Sequence, residues 1–176
     1  MKRLGYISIL LLMLSTASAG AFEFMTPRGT GMGGTVQLSL ASATSQLNLR
    51  SRGLKDGDWQ LESGYNRRFE LADLDQVYLA AATRWRRWTV AVGASQFGRT
   101  DLYAEQLLKG SVSFQYDSLS LGASMSAMQV EFGNGYGRLR AVTAGLGLSY
   151  RWRRILAAVT VDRMTSPKLT DYSESI

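Results

Sequence analysis

The chain has 176 residues, a formal net charge of +6, no cysteine, no histidine, and 18 glycines against 2 prolines. Without Cys or His there is no disulfide framework, no Cys-His or Ser-His-Asp catalysis and no usual zinc or transition-metal ligand set, so no metal, no cofactor and no enzymatic activity are expected. Abundant Gly with scarce Pro excludes a collagen-like or low-complexity chain. Arginines that are scattered or paired between segments, rather than gathered in a stripe on a known module, predict no nucleic-acid partner.

The N-terminus carries Lys2 and Arg3, an apolar run from Leu4 to Leu14, and Ala17-Ser18-Ala19 as an A-x-A cleavage site. Residues 1–19 therefore read as a secretory signal peptide; the apolar run is short for a membrane anchor. Its removal lowers the formal charge from +6 to +4, since Lys2 and Arg3 are its only charges.

Residues 20–57 form a separate, Gly-rich and polar segment. Gly29, Gly31 and Gly34 match G-x-G-x-x-G, but no strand precedes them and no βαβ unit follows, so dinucleotide binding is rejected. A backbone that must thread a confined space close to a wall fits better, as a hatch or plug.

From residue 58 to 164 the chain falls into segments with period-2 patterning, of the length of tilted transmembrane strands. Seven are expected: Trp59–Arg67, Gln76–Trp85, Trp88–Ser95, Gly110–Tyr116, Leu119–Ala127, Ala141–Trp152 and Ile155–Asp162. In the fifth, Leu119, Leu121, Ala123, Met125 and Ala127 oppose Ser120, Gly122, Ser124 and Ser126. The sixth divides in the same way, Val142 to Trp152 against Thr143, Gly145, Gly147 and Ser149. Small inward residues either leave lumen space for a plug or ligand or are permissive wall positions.

A soluble sandwich alternates too, so the connections decide. Arg86-Arg87, Asp117-Ser118 and Arg153-Arg154 are expected as two-residue turns, and Phe69–Asp75, Gly98–Lys109 and Glu131–Arg138 as longer links between them. Short turns alternating with long loops suit an outer-membrane barrel, with the short turns on the periplasmic side. Trp85, Trp88, Tyr116, Tyr150 and Trp152 would form its aromatic girdle. Residues 165–176 read as the start of an external loop or tail. Seven strands leave unpaired edges, which is costly in lipid, so a second polypeptide or self-association is expected to complete the wall.

Arg28 followed by Gly31-Met32-Gly33-Gly34-Thr35-Val36, just ahead of a β-rich region, resembles the start of the FadL-like outer-membrane proteins, above all their branch related to PorV and PorQ of the type IX secretion system. That family opens R-x-x-G-M-G-G-A and continues with an acidic stretch and an Asn-Pro-Ala-Gly-Leu-like motif. Here Ala43-Thr44 stand where acidic residues would be, and Asn48 to Leu54 occupy the second motif's place. Phe69-Glu70-Leu71, Ser95-Gln96-Phe97-Gly98, Asp101 to Glu105 and Ser166-Pro167-Lys168-Leu169 extend the likeness along the mature chain.

The resemblance implies a barrel of about fourteen strands with a lumenal hatch, of which this chain holds the N-terminal half. By the same likeness Arg28, Gly31, Met32, Gly33 and Gly34 would belong to the hatch. The expected fold is thus an all-β, antiparallel, incomplete transmembrane barrel behind a hatch-like segment. The expected function is outer-membrane transport of hydrophobic compounds or a secretion-associated role, with the lipid bilayer and an apolar small molecule as partners. The alternative is a small complete barrel of about eight strands with a structural or surface-binding role.

Overall fold

The computed structural model describes residues 42–47, 54–67, 72–133, 137–153 and 155–161. The expected signal peptide, the Arg28 to Gly34 motif and the tail 165–176 lie outside the described residues.

The fold is all-β: one antiparallel sheet whose seven strands lie side by side in chain order. They are β1 (Trp59–Arg67), β2 (Asp75–Trp85), β3 (Trp88–Arg99), β4 (Tyr103–Tyr116), β5 (Leu119–Phe132), β6 (Gly137–Trp152) and β7 (Ile155–Val161). A five-residue helix α1 (Ala43–Leu47) precedes them and a 3-10 turn (Ala72–Leu74) leads into β2. Among the described residues β1 pairs only with β2 and β7 only with β6, so the sheet is not closed. No helix among them is long and apolar enough to cross a membrane.

Register is set by three two-residue hairpins, which pair Trp85 with Trp88, Tyr116 with Leu119 and Trp152 with Ile155. Each begins with a left-handed residue, Arg86 at φ 57°, Asp117 at 48° and Arg153 at 51°. That backbone matches the twist of antiparallel strands, although only Asp among these side chains suits it well.

The faces run opposite to those of a soluble sheet. In the central part of the sheet the outer positions Leu79, Val90, Val92, Val112, Leu121, Met125, Leu146 and Leu148 are exposed. The inner positions Ala80, Ala82, Thr89, Ala91, Ser111, Ser113, Ser124, Ser126, Thr143 and Ser149 are buried. Because partners share a face, the small inner residues form continuous rows, such as Ala82, Ala91, Ser111, Ser124 and Gly145.

Two expected loops are corrected. Residues 103–109 belong to β4, leaving only Thr100 to Leu102 as the link from β3, and the link expected over Glu131–Arg138 shrinks because β5 runs to Phe132 and β6 starts at Gly137. The cause is an inversion of the pattern within the strands. Up to the outer row Ala94, Leu108, Ala127 and Val142 the outside is apolar; the next outer row is Gln96, Gln106, Gln129 and Arg140. Inside, the row Lys109, Ser126, Thr143 gives way to Leu107, Met128 and Ala141, which are buried. Beyond this level β4 to β6 are built largely as water-facing strands are, polar without and mainly apolar within, where Val130 and Leu139 stand in one row with the buried Glu105.

Candidate functional site

Helix α1 lies against the inner face, with all five residues buried. Its seat is made by the small inner residues of β2 and β3, since Ala80, Ala82 and Ala91 join Ala43 and Leu47 in one buried cluster. Side chains no larger than methyl leave room for a helix backbone, which a Leu-lined wall would fill.

Polar contacts fix it at both ends. The Thr44 backbone N–H and Oγ1 donate to Glu62 Oε2 on β1 at 3.2 and 2.9 Å, and Ser111 Oγ on β4 donates to the Gln46 carbonyl at 2.8 Å. Glu62 is held in turn by Tyr78, whose hydroxyl donates to Oε1 at 3.4 Å. The Tyr78 ring lies over Gly64, its partner on β1, where an added Cβ would fall 2.4 Å from a ring carbon. A glycine on an edge strand, covered by a cross-strand aromatic, thus positions the acid that holds the helix.

The segment before β1 closes over the short-turn end. Leu54 is buried, and the Arg84 guanidinium donates to the Leu54 carbonyl at 3.0 Å and to Gln115 Oε1 at 2.9 Å. The Arg86 N–H is hydrogen-bonded to Asp56.

The five expected girdle residues come together. Trp85, Trp88, Tyr116, Tyr150 and Trp152 are all exposed, on the outer face at the short-turn end. Trp59, 74% exposed, joins them and was missed because it starts the first strand, with no turn pair beside it. Trp88 packs on Phe114 with ring centroids 4.8 Å apart. Turn guanidiniums lie over three of the rings: Arg86 on Trp85 at 5.2 Å, Arg87 on Tyr116 at 5.1 Å and Arg153 on Trp152 at 5.8 Å.

The opposite end handles its arginines differently. Arg67 pairs with Asp75 at 3.0 Å, Arg99 with Asp73 at 2.8 Å and Asp101 at 2.5 Å, and Arg138 with Glu131 at 2.6 Å. In the link between β3 and β4 the Arg99 hydrogen bond holds the Asp101 carboxyl below the usual carboxylate range. Outer polar side chains are also chained there, Arg140 Nε donating to Gln129 Oε1 at 2.8 Å and Gln129 Nε2 to Gln106 Oε1 at 3.5 Å.

The expected hatch residues Arg28, Gly31, Met32, Gly33 and Gly34 lie outside the described residues, so residues 42–47 with α1, and 54–57, are the described parts of the expected hatch segment 20–57. Sequence reasoning missed Glu62 and Ser111, whose only signal was a polar residue on the inner face opposite small neighbours. Among the described residues no group of acidic side chains is placed to hold a metal ion. No protein-family model, no curated protein and no solved structure matches the chain.

Proposed function

We propose that the chain forms part of the wall of an outer-membrane β-barrel, with the segment before β1 as a lumenal hatch, and acts in FadL-like or PorV-like transport of apolar compounds or in secretion rather than in catalysis. The observation that carries the reading is the inversion of faces within single strands. A soluble sheet has no reason to be apolar outside over one stretch and polar outside over the next. A wall that leaves a bilayer does.

The band has the dimensions this requires. From Val142 to Trp152 on β6 the outer face is apolar or aromatic throughout. At about 3.4 Å per residue and a tilt near 40°, that stretch spans roughly 26 Å, close to the apolar band of outer-membrane barrels. It ends in aromatic residues at the short turns and in Gln and Arg at the other side, as interfacial boundaries do.

The open sheet supports an incomplete wall over a small complete barrel. Unpaired N–H and C=O groups at β1 and β7 would be costly in lipid, so both edges need a partner strand, from a second polypeptide, a second copy or the rest of a longer barrel.

Impermeant thiol labelling on intact cells tests the reading. A single cysteine at Thr100, in the link between β3 and β4, labels, whereas one at Arg87, in a short turn, labels only after the envelope is opened. The reverse pattern would invert the orientation, and equal labelling of intact cells at both sites would remove the membrane assignment.

A further inference from the structure

The turn arginines Arg86, Arg87 and Arg153 lie over aromatic rings at the short-turn end, and next to Arg87 an apolar hollow begins at Trp88. The hollow lies on the outer face and has a volume of about 710 Å³, lined by Trp88, Phe114, Leu121, Leu146, Leu148 and Val159 among others. Its floor is low at Ala123, a small outer-face residue paired with Val112 and Leu146, with the backbone of Gly122 and Gly147 beside it. The hollow is an open surface depression rather than an enclosed cavity, and its walls offer almost only carbon.

Two outer residues lining the turn-side part of the hollow, Trp88 and Phe114, are the neighbours of Arg87 and of its ring partner Tyr116 along the strands. Arg87 immediately precedes Trp88, and its guanidinium lies over the Tyr116 ring. Its carbonyl accepts the Gln115 N–H at 2.8 Å, which ties the turn to β4. A guanidinium resting on a ring keeps its edge N–H groups free, and that fork matches a phosphate.

We propose that this end of the wall binds one anionic glycerophospholipid, its phosphate on Arg87 and an acyl chain in the hollow over Ala123. The proposal rests on the membrane reading above. Charge complementarity selects the headgroup: at the opposite rim Arg67, Arg99 and Arg138 are paired with carboxylates, Arg67 while also lying over the Tyr65 ring, whereas Arg86, Arg87 and Arg153 lie over rings and no carboxylate among the described residues pairs with them. Arg153 lies at the β6–β7 turn and adds to the field of the rim without standing over the mouth of the hollow.

The full chain, with Trp88 as its sole tryptophan, is reconstituted in phosphatidylcholine vesicles doped with brominated phosphatidylglycerol or brominated phosphatidylcholine. Quenching of Trp88 then reports the lipid in the hollow. The brominated anionic lipid is expected to be enriched there about fivefold, the preference one interfacial arginine supplies. The preference disappears in Arg87→Gln and survives in Arg153→Asn, and free inorganic phosphate does not abolish it.

Equal quenching by the two lipids would overturn the proposal and leave the membrane reading standing. Equal loss in the two variants would overturn it in favour of unspecific surface charge. Abolition by inorganic phosphate would make this an anion site without a lipid. No quenching by either lipid would count against the membrane reading itself.

Discussion

Thr44 and Glu62, one on the helix before the sheet and the other on its first strand, share a single carboxylate oxygen, which accepts both the backbone N–H and the hydroxyl of Thr44. Two donors on one carboxylate oxygen make this a strong polar link between α1 and the wall. Glu62→Ala should therefore loosen the helix by about 1–3 kcal/mol, the cost of leaving a part-buried donor unpaired. Amide hydrogen exchange over residues 43–47 would accelerate while exchange in β3 to β5 stays unchanged. Glu62→Gln, which keeps a carbonyl acceptor, should restore much of the protection. Acceleration of the whole sheet would mean that the contact holds the wall rather than the helix.

Leu146 and Gly145 are adjacent on β6 and face opposite ways, the first exposed on the outer face and the second buried within. Leu146→Arg should cost about 2–4 kcal/mol in lipid vesicles if it lies near the bilayer midplane, and much less in water. Gly145→Arg should be costly in either setting, because it crowds the inner face. Urea titration in vesicles and in detergent separates the two, and indifference at Leu146 in vesicles would remove β6 from the membrane.

The central strands were legible because each sets Leu, Val or Met on one face against Gly and Ser on the other, and because Trp or Tyr flanks each short turn. The places that misled have one physical cause. Expected strand ends at Ser95 and Ala127 sit on the two adjacent rows between which apolar and polar faces exchange, so a fixed face assignment stops there although the backbone pairing continues to Arg99 and Phe132. Glu105, Gln106 and Lys109 resemble a loop in composition, yet Glu105 and Lys109 are buried inner-face residues. The seat of α1 was illegible for a different reason: it depends on which small residues of β2 and β3 lie across from one another, a property of register.

Arg86 occupies left-handed backbone at the first position of its hairpin. Such a conformation costs a residue other than Gly, Asn or Asp about 1–2 kcal/mol. Arg86→Asn should recover up to about 1 kcal/mol, whereas Asp117→Asn, at the equivalent position of the next short turn, should change little. Urea midpoints of the two variants, with unchanged slopes, would measure this. Equal gains at both positions would show that the turns do not carry the strain.

Asp101 owes its lowered pKa first to the hydrogen bond from Arg99. A carboxyl depressed on folding stabilises above its unfolded pKa of about 3.9, and that contribution is lost as the pH falls through the lower folded value. Both groups are exposed, so the contribution to stability is small. Arg99→Gln should return the Asp101 titration to the ordinary range, read by carbon NMR of its carboxyl. An unmoved titration would rule out the pair as its cause.

Gly98 and Gly133 grip the short link between β3 and β4 from two sides, which is why so few residues suffice to join these strands. Gly98 has φ +77°, and a Cβ there would lie 2.2 Å from the Tyr103 carbonyl oxygen; a Cβ on Gly133 would lie 2.0 Å from that of Asp101. The Gly133 N–H also donates to the Leu102 carbonyl at 2.8 Å, closing the link against the end of β5. Both obstacles are backbone atoms, which cannot swing aside as a side chain can. Gly98→Ala meets a left-handed penalty and a clash, and should cost about 2 kcal/mol or more. Gly137→Ala, at φ +101° with open space around it, meets only the backbone penalty and should cost about 1–2 kcal/mol. Gly110→Ala has neither obstacle and should gain about 0.5–1 kcal/mol, because alanine has less chain entropy to lose. The order Gly98, Gly137, Gly110 in urea midpoints is the expected result. A Gly98→Ala chain as stable as Gly110→Ala would show that residues 99–103 can relax into the longer loop that their composition suggests.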